Sequence, residues 1–164
     1  LLLPLIGIDG PELPKVAISN STCFSPDGGT MYFCNSPEHR IMACDYDARS
    51  GAVANLRVFA EVADAEPDGA TVDAEGFLWS AQWGGSRVVR YAPDGRTDLT
   101  VSLPASQTSC VSFAGPALDH LCVTSAHVGL SEQQRAAEPL AGAVFYGRAP
   151  RGRGLPEVRY GVAR

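Results

Sequence analysis

No apolar run in this chain of 164 residues approaches the roughly 20 residues needed to span a bilayer. A membrane partner is therefore not expected. The apolar opening Leu1 to Ile8 is short, contains Pro4, and lacks a basic flank or cleavage site. It does not read as a signal peptide. Runs of Lys and Arg are also missing, and the formal net charge is −5, which argues against a nucleic-acid partner. CxxC pairs and Cys/His zinc spacings are absent among five cysteines, an odd number. Four of them fall inside predicted strands and read as small buried hydrophobes, pointing to a reducing, cytoplasmic setting. Ser109 has no GxSxG context, and no His/Asp pair suits a triad, so a serine nucleophile is discounted. Helix signals are nearly absent. Ser131 to Glu138 is the sole helix-like stretch, with Ser131 and Gln134 spaced for a capping box.

What remains is the pattern of an all-β chain. Apolar residues make up 45% and charged residues 19%, as in a globular domain. Glycine (17) and proline (12) are spread evenly, punctuating short segments. One plan recurs: a short apolar strand, a turn, then a second apolar strand. It is read in Asn20 to Phe33, Pro67 to Trp79 and Ser109 to Val123. With Phe24, Val72 and Phe113 aligned, a polar residue stands four positions earlier each time: Asn20, Asp68 and Ser109. Spacings of 48 and 41 residues fall in the range of four-stranded propeller blades.

The expected fold is thus a β-propeller of three four-stranded blades, about 16–62, 67–104 and 108–161, half of a six-bladed ring. Strands are expected at Lys15–Ser25, Met31–Asn35, Arg40–Asp47 and Val53–Phe59. The second unit has Gly69–Asp73, Phe77–Gln82, Arg87–Tyr91 and Asp98–Leu103. The third has Cys110–Phe113, His120–Thr124, Gly142–Tyr146 and Glu157–Tyr160. Leu1 to Ile8 would be a stray outer strand.

In a blade, the start of the innermost strand shares a face of the ring with the loop between the second and third strands. Asn20, Asp68, Ser109, Asn35, Trp83 and His127 therefore become candidates for one site. Asn20 and Asp68 are oxygen donors of the kind a hard divalent cation selects. Pro-Asp-Gly and Ser-Asn-Ser are equally ordinary turn sequences, so strand capping competes with metal binding. Trp83, beside Gly84-Gly85, could stack on a sugar or cover the core. His127 has no partner in sequence, and a surface role competes with ligation.

Ser19-Asn20, the Phe24-to-Gly28 turn, Asp45-Tyr46-Asp47, Pro67-Asp68-Gly69, Asp73-to-Trp79, Trp83-to-Val88 and Val123-to-Ala126 together resemble the SMP-30/gluconolactonase/regucalcin family, in particular bacterial sugar lactonases. The resemblance implies a six-bladed propeller with one divalent cation (calcium, zinc, manganese, magnesium or iron) and hydrolysis of a sugar-acid lactone. It implies Asn20 and Asp68 as two of four metal ligands, with Asp68 also the base. Ser109, Trp83, Asn35 and His127 would meet substrate. The other two ligands, a Glu and an Asn, belong to a first half that this chain lacks. Ser21 stands where the family usually has Gly, and Asn35 where it often has Asp. The alternative is a catalytically deficient half-propeller, a metal-binding or assembly module completed by a homodimer partner or by a missing N-terminal half.

Overall fold

A computed structural model describes residues 16–156. The chain alternates β-branched and aromatic residues between tight turns, and it folds into successive antiparallel meanders. The first sheet runs β1 (Ser19–Phe24), β2 (Thr30–Asn35), β3 (Arg40–Tyr46) and β4 (Val53–Glu61). The second runs β5 (Glu66–Val72), β6 (Leu78–Trp83), β7 (Arg87–Tyr91) and β8 (Thr97–Ser102). The third has β9 (Thr108–Ala114), β10 (His120–Ser125) and β11 (Val144–Arg148). Its expected fourth strand, Glu157–Tyr160, and the Leu1–Ile8 strand lie outside the described residues. The short helix α1 (Glu132–Ala137) carries the expected capping box between Ser131 and Gln134. No helix among the described residues is long and apolar enough to cross a membrane.

The sheets stack as propeller blades. The innermost strands lie side by side, β1 against β5 and β5 against β9. The period of 2 along each strand sends alternate side chains to opposite faces, and the middle blade shows the result. Leu78, Val89 and Tyr91 join Tyr32, Ile41, Ala43 and Ala60 in the core toward the first blade. Trp79, Ala81 and Val88 join Val111, Leu121 and Val123 in the core toward the third. Neither core is complete without both of its blades.

Close approach is explicit at Gly69. A Cβ there would lie 2.6 Å from Cys110 Sγ and 2.9 Å from its Cα, so β5 meets β9 where β5 has no side chain. At the far end of β5, Asp73 is fully buried. Its carboxylate accepts Trp79 Nε1–H at 2.9 Å, Arg90 Nε–H at 2.9 Å, and the backbone N–H groups of Glu75 and Phe77 at 3.0 Å. Arg90, 2% exposed, also pairs with Glu75 and Asp98 and lies 3.6 Å over the Phe77 ring. This end of the blade is sealed by its own side chains.

Candidate functional site

The opposite end of the inner strands is built from irregularities. In β1 the register with β2 slips between Asn20 and Cys23. In β5 the register with β6 slips between Pro67 and Ala70. In β9 the slip against β10 falls between Thr108 and Cys110, where Ser125 pairs with Thr108 and Thr124 with Cys110. Each is one extra residue in the inner strand, a β-bulge. Counted back from the turns, the second and third bulges coincide and the first falls one residue later; Asp68 and Ser109 lie inside theirs, and Asn20, paired with Cys34, is the last residue before its own. Bulges re-aim side chains and are common beside functional sites.

Hydrogen bonds join the first two positions. Asn20 Nδ2 donates to Ser36 Oγ at 3.0 Å, and Ser36 Oγ donates to the Pro67 carbonyl at 2.7 Å. Ser21 Oγ donates to the Asp68 carbonyl. Ser21 is buried with φ of 57°, a left-handed conformation that favours glycine; the hydroxyl bond across the blades accompanies that strain. Cys34 Sγ adds a contact to the Pro67 carbonyl at 3.3 Å.

Asp68 is only partly buried. Burial pushes its carboxyl up to about 6; the Gly69 N–H bond opposes this, and the neighbouring Glu66 charge adds to it. No Arg, Lys or His pairs with it among the described residues, in contrast to Asp73. A carboxylate without a cation partner, and an amide on the neighbouring inner strand, are donors of the kind a hard divalent cation takes. No three His, Cys, Asp or Glu side chains among the described residues converge to hold a metal, so the chain would contribute a carboxylate and an amide rather than a full cage.

The remaining candidates lie at the same end of the sheets, and none makes a side-chain hydrogen bond to Asn20 or Asp68 among the described residues. Ser109 Oγ shares a 2.8 Å hydrogen bond with Thr124 Oγ1. Trp83 ends β6, pairing with Glu66 and bridging to Gln107. His127 is exposed, and its loop rests on Gly142, where a Cβ would lie 2.6 Å from His127 Nδ1. The Asn35 amide is occupied. Its Oδ1 accepts Ala17 N–H at 3.0 Å and Ile18 N–H at 3.1 Å, and its Nδ2 donates to Glu38 at 2.8 Å. Sequence reasoning passed over Ser36 and Thr124. The Ser-Pro pair opening a one-turn 3-10 helix after β2 was the available signal for Ser36. Two clefts are lined by neither Asn20 nor Asp68. A cleft of about 450 Å³ is lined by Pro26, Tyr32, Phe59 and Glu75, and one of about 400 Å³ by Thr22, Phe24, Thr71 and Ser112.

Residues 12–127 match the family described as SMP-30/Gluconolactonase/LRE-like region. The chain is 49% identical over 150 residues to L-arabinolactonase of Azospirillum brasilense, covering 90% of this chain and 49% of that protein. It is 38% identical over 132 residues to 6-deoxy-6-sulfogluconolactonase of Pseudomonas putida, covering 79% and 45%. A crystal structure described as a calcium-binding protein, regucalcin, from Agrobacterium tumefaciens superposes with a TM-score of 0.80 at 38% identity, over 88% of this chain and 50% of that one. The chain spans about half the length of the curated relatives it matches.

Proposed function

The chain belongs to the SMP-30/gluconolactonase/LRE-like family, and from that membership we propose that it forms one half of a sugar-lactone hydrolase and supplies two of its cation ligands. The substrate is an aldonolactone and the product its aldonic acid. Asn20 and Asp68 hold the cation, and Asp68 is the base. The observation that supports this reading is a register slip at the same end of each inner strand, with Asp68 and Ser109 inside theirs and Asn20 bordering its own.

A bound hard divalent cation supplies Lewis acidity at a lactone carbonyl; calcium is the identity favoured by the regucalcin neighbour's description. Asp68, whose carboxyl burial pushes up to about 6 in the cation-free chain and which a bound cation would draw down again, is the ionised carboxylate that takes a proton from attacking water. Ser109, paired with Thr124, offers hydroxyls to the sugar, and Trp83 and His127 border the same face. Asn35 serves the mouth indirectly by tying the start of β1 to the turn after β2. A cytoplasmic location fits the five cysteines, all free thiols.

The second reading, a half-propeller acting as an assembly module, is favoured by the outer face of the first blade. Phe24, Met31, Phe33, Met42, Cys44 and Val58 share that face through directly paired positions; Phe33 and Cys44 are buried, and Phe24 and Val58 are exposed. Apolar faces of this kind ask for a neighbour, either an N-terminal half or a second copy. Acid release from arabinono-, xylono- and gluconolactones, followed at constant pH with and without divalent cation, separates the two. The hydrolase reading expects cation-dependent turnover that Asp68→Ala abolishes. Undiminished turnover in that variant contradicts it. A chain that sediments as a dimer and opens no lactone supports the module.

A further inference from the structure

We propose that Ser36 is a positioning residue whose hydroxyl decides which way round the Asn20 amide sits, turning Asn20 Oδ1 toward the cation. The inference rests on the reading of Asn20 and Asp68 as cation ligands. It concerns a residue that would itself touch neither cation nor substrate.

An asparagine amide has two ends of similar shape and opposite chemistry. A cation takes the oxygen, and a reversed amide presents two N–H groups to it instead. Something must select the orientation, and Ser36 does so by proton bookkeeping. Its hydroxyl has a single proton, and the Pro67 carbonyl, 2.7 Å away, is an acceptor alone. That proton is therefore committed to Pro67. Toward Asn20 the oxygen of Ser36 has only lone pairs left, so it can receive an N–H but cannot give one. The 3.0 Å contact is accordingly Asn20 Nδ2 donating to Ser36 Oγ. Reversing the amide would set two oxygens against each other. Ser36 is 2% exposed, so water does not stand in for it readily.

The same hydroxyl couples the two ligand-bearing strands. Pro67 C=O belongs to the peptide that begins Asp68, and Ser36 thus fixes the Asn20 amide relative to the backbone that carries the carboxylate. The Ser36 backbone N–H donates to Ile18 O at 3.1 Å, holding the residue beside the start of β1. Side chains that orient a ligand commonly change metal affinity by about 10- to 100-fold when removed.

The test has a cation-free arm and a cation-binding arm. In the isotope-labelled, cation-free chain, one Asn20 Nδ2 proton should exchange slowly. Ser36→Ala should lose that protection and Ser36→Thr should keep it. By calorimetry with Ca²⁺ and with Mn²⁺, Ser36→Ala should weaken binding about 10-fold or more, with Ser36→Thr close to wild type. The decisive comparison uses Asn20→Asp, whose two oxygens are equivalent. In that background Ser36→Ala should not weaken binding by more than about 3-fold, because no orientation is left to select and an oxygen faces Ser36 Oγ either way. An equal loss in both backgrounds assigns Ser36 a general structural role and overturns the inference. Unchanged affinity in Ser36→Ala, where the wild type binds, also overturns it while leaving the ligand assignment standing. A wild-type chain that binds neither cation overturns the ligand assignment itself, and this inference with it. Should Ser36→Ala not fold, Ser36→Thr still decides: loss of both the exchange protection and the affinity contradicts the proposal.

Discussion

Two aspartates stand at the two ends of β5, and the fold treats them in opposite ways. Asp73 is fully buried. It receives four N–H groups, with the Arg90 guanidinium at 2.7 Å. Every lone pair it owns is used within the blade. Asp68 is only partly buried and has the Gly69 N–H as its stabilising contact, while burial and Glu66 push its carboxyl up to about 6. The first arrangement ties the turn after β5 to β6 and β7. The second leaves oxygen lone pairs free at a raised free energy. A carboxylate that the protein itself satisfies has nothing to offer a ligand; one left poorly satisfied does.

The comparison breaks most visibly at Asp73. Asp73→Ala leaves the Arg90 charge without its buried partner and should destabilise the chain by about 3 to 5 kcal/mol, read by urea unfolding. A loss under about 1 kcal/mol would mean that the Arg90 cluster behaves as a surface pair.

Gly69, the neighbour of Asp68, comes next. Gly69→Ala drives a methyl against Cys110 Sγ and Cα and should cost about 1 to 3 kcal/mol. Shortening the opposing side chain with Cys110→Gly should recover part of that loss. An additive double variant would remove the close approach of β5 and β9 from the account.

Asp68→Asn should act with the opposite sign to Asp73. Its folded carboxyl, near 6, lies above the ordinary 3.8, so the folded state holds its proton more tightly than the unfolded one. Stability contributed by this group is full below about pH 4 and falls as pH rises through about 6. In the cation-free chain, Asp68→Asn should therefore exceed the parent at pH 8. After discounting for solvent screening, the gain is about 1 to 2 kcal/mol. The two should converge near pH 4. Hydrolysis should be lost in the same variant. Thermal melts across that pH range check the sign, and destabilisation at pH 8 would contradict it.

The smallest effect belongs to Ser21. Ser21→Gly relieves a positive φ but removes the bond to the Asp68 carbonyl. The two terms offset, leaving a change within about 1 kcal/mol in unfolding free energy.

The blades were legible because their cause is local. Alternation of apolar side chains marks strands, and turns such as Pro26-Asp27-Gly28 mark their ends. Arg87–Tyr91 emerged with both limits correct. Strand starts at the mouth were less legible. β5 begins at Glu66 rather than Gly69, because pairing with β6 carries the strand through the bulge, and a bulge leaves no sign in the alternation itself. The alignment of Asn20, Asp68 and Ser109 was visible from the repeat. That each stands in or beside a bulge was not, and neither was the hydroxyl of Ser36. The second depends on a contact 31 residues away, between Ser36 and Pro67, which no local pattern encodes. The contrast between Asp68 and Asp73 was hidden for the same reason. Both precede a Gly or a Gly-containing turn, and only tertiary contacts distinguish them.

The most direct measurement is a titration of the isotope-labelled chain with Mn²⁺, followed by paramagnetic broadening of its NMR signals. The account predicts broadening that begins at the side chains of Asn20 and Asp68 and spares the Trp79 indole N–H bound to Asp73. Broadening centred on the surface turn carboxylates of Asp27, Asp47 or Asp94, with Asn20 and Asp68 unaffected, would contradict it.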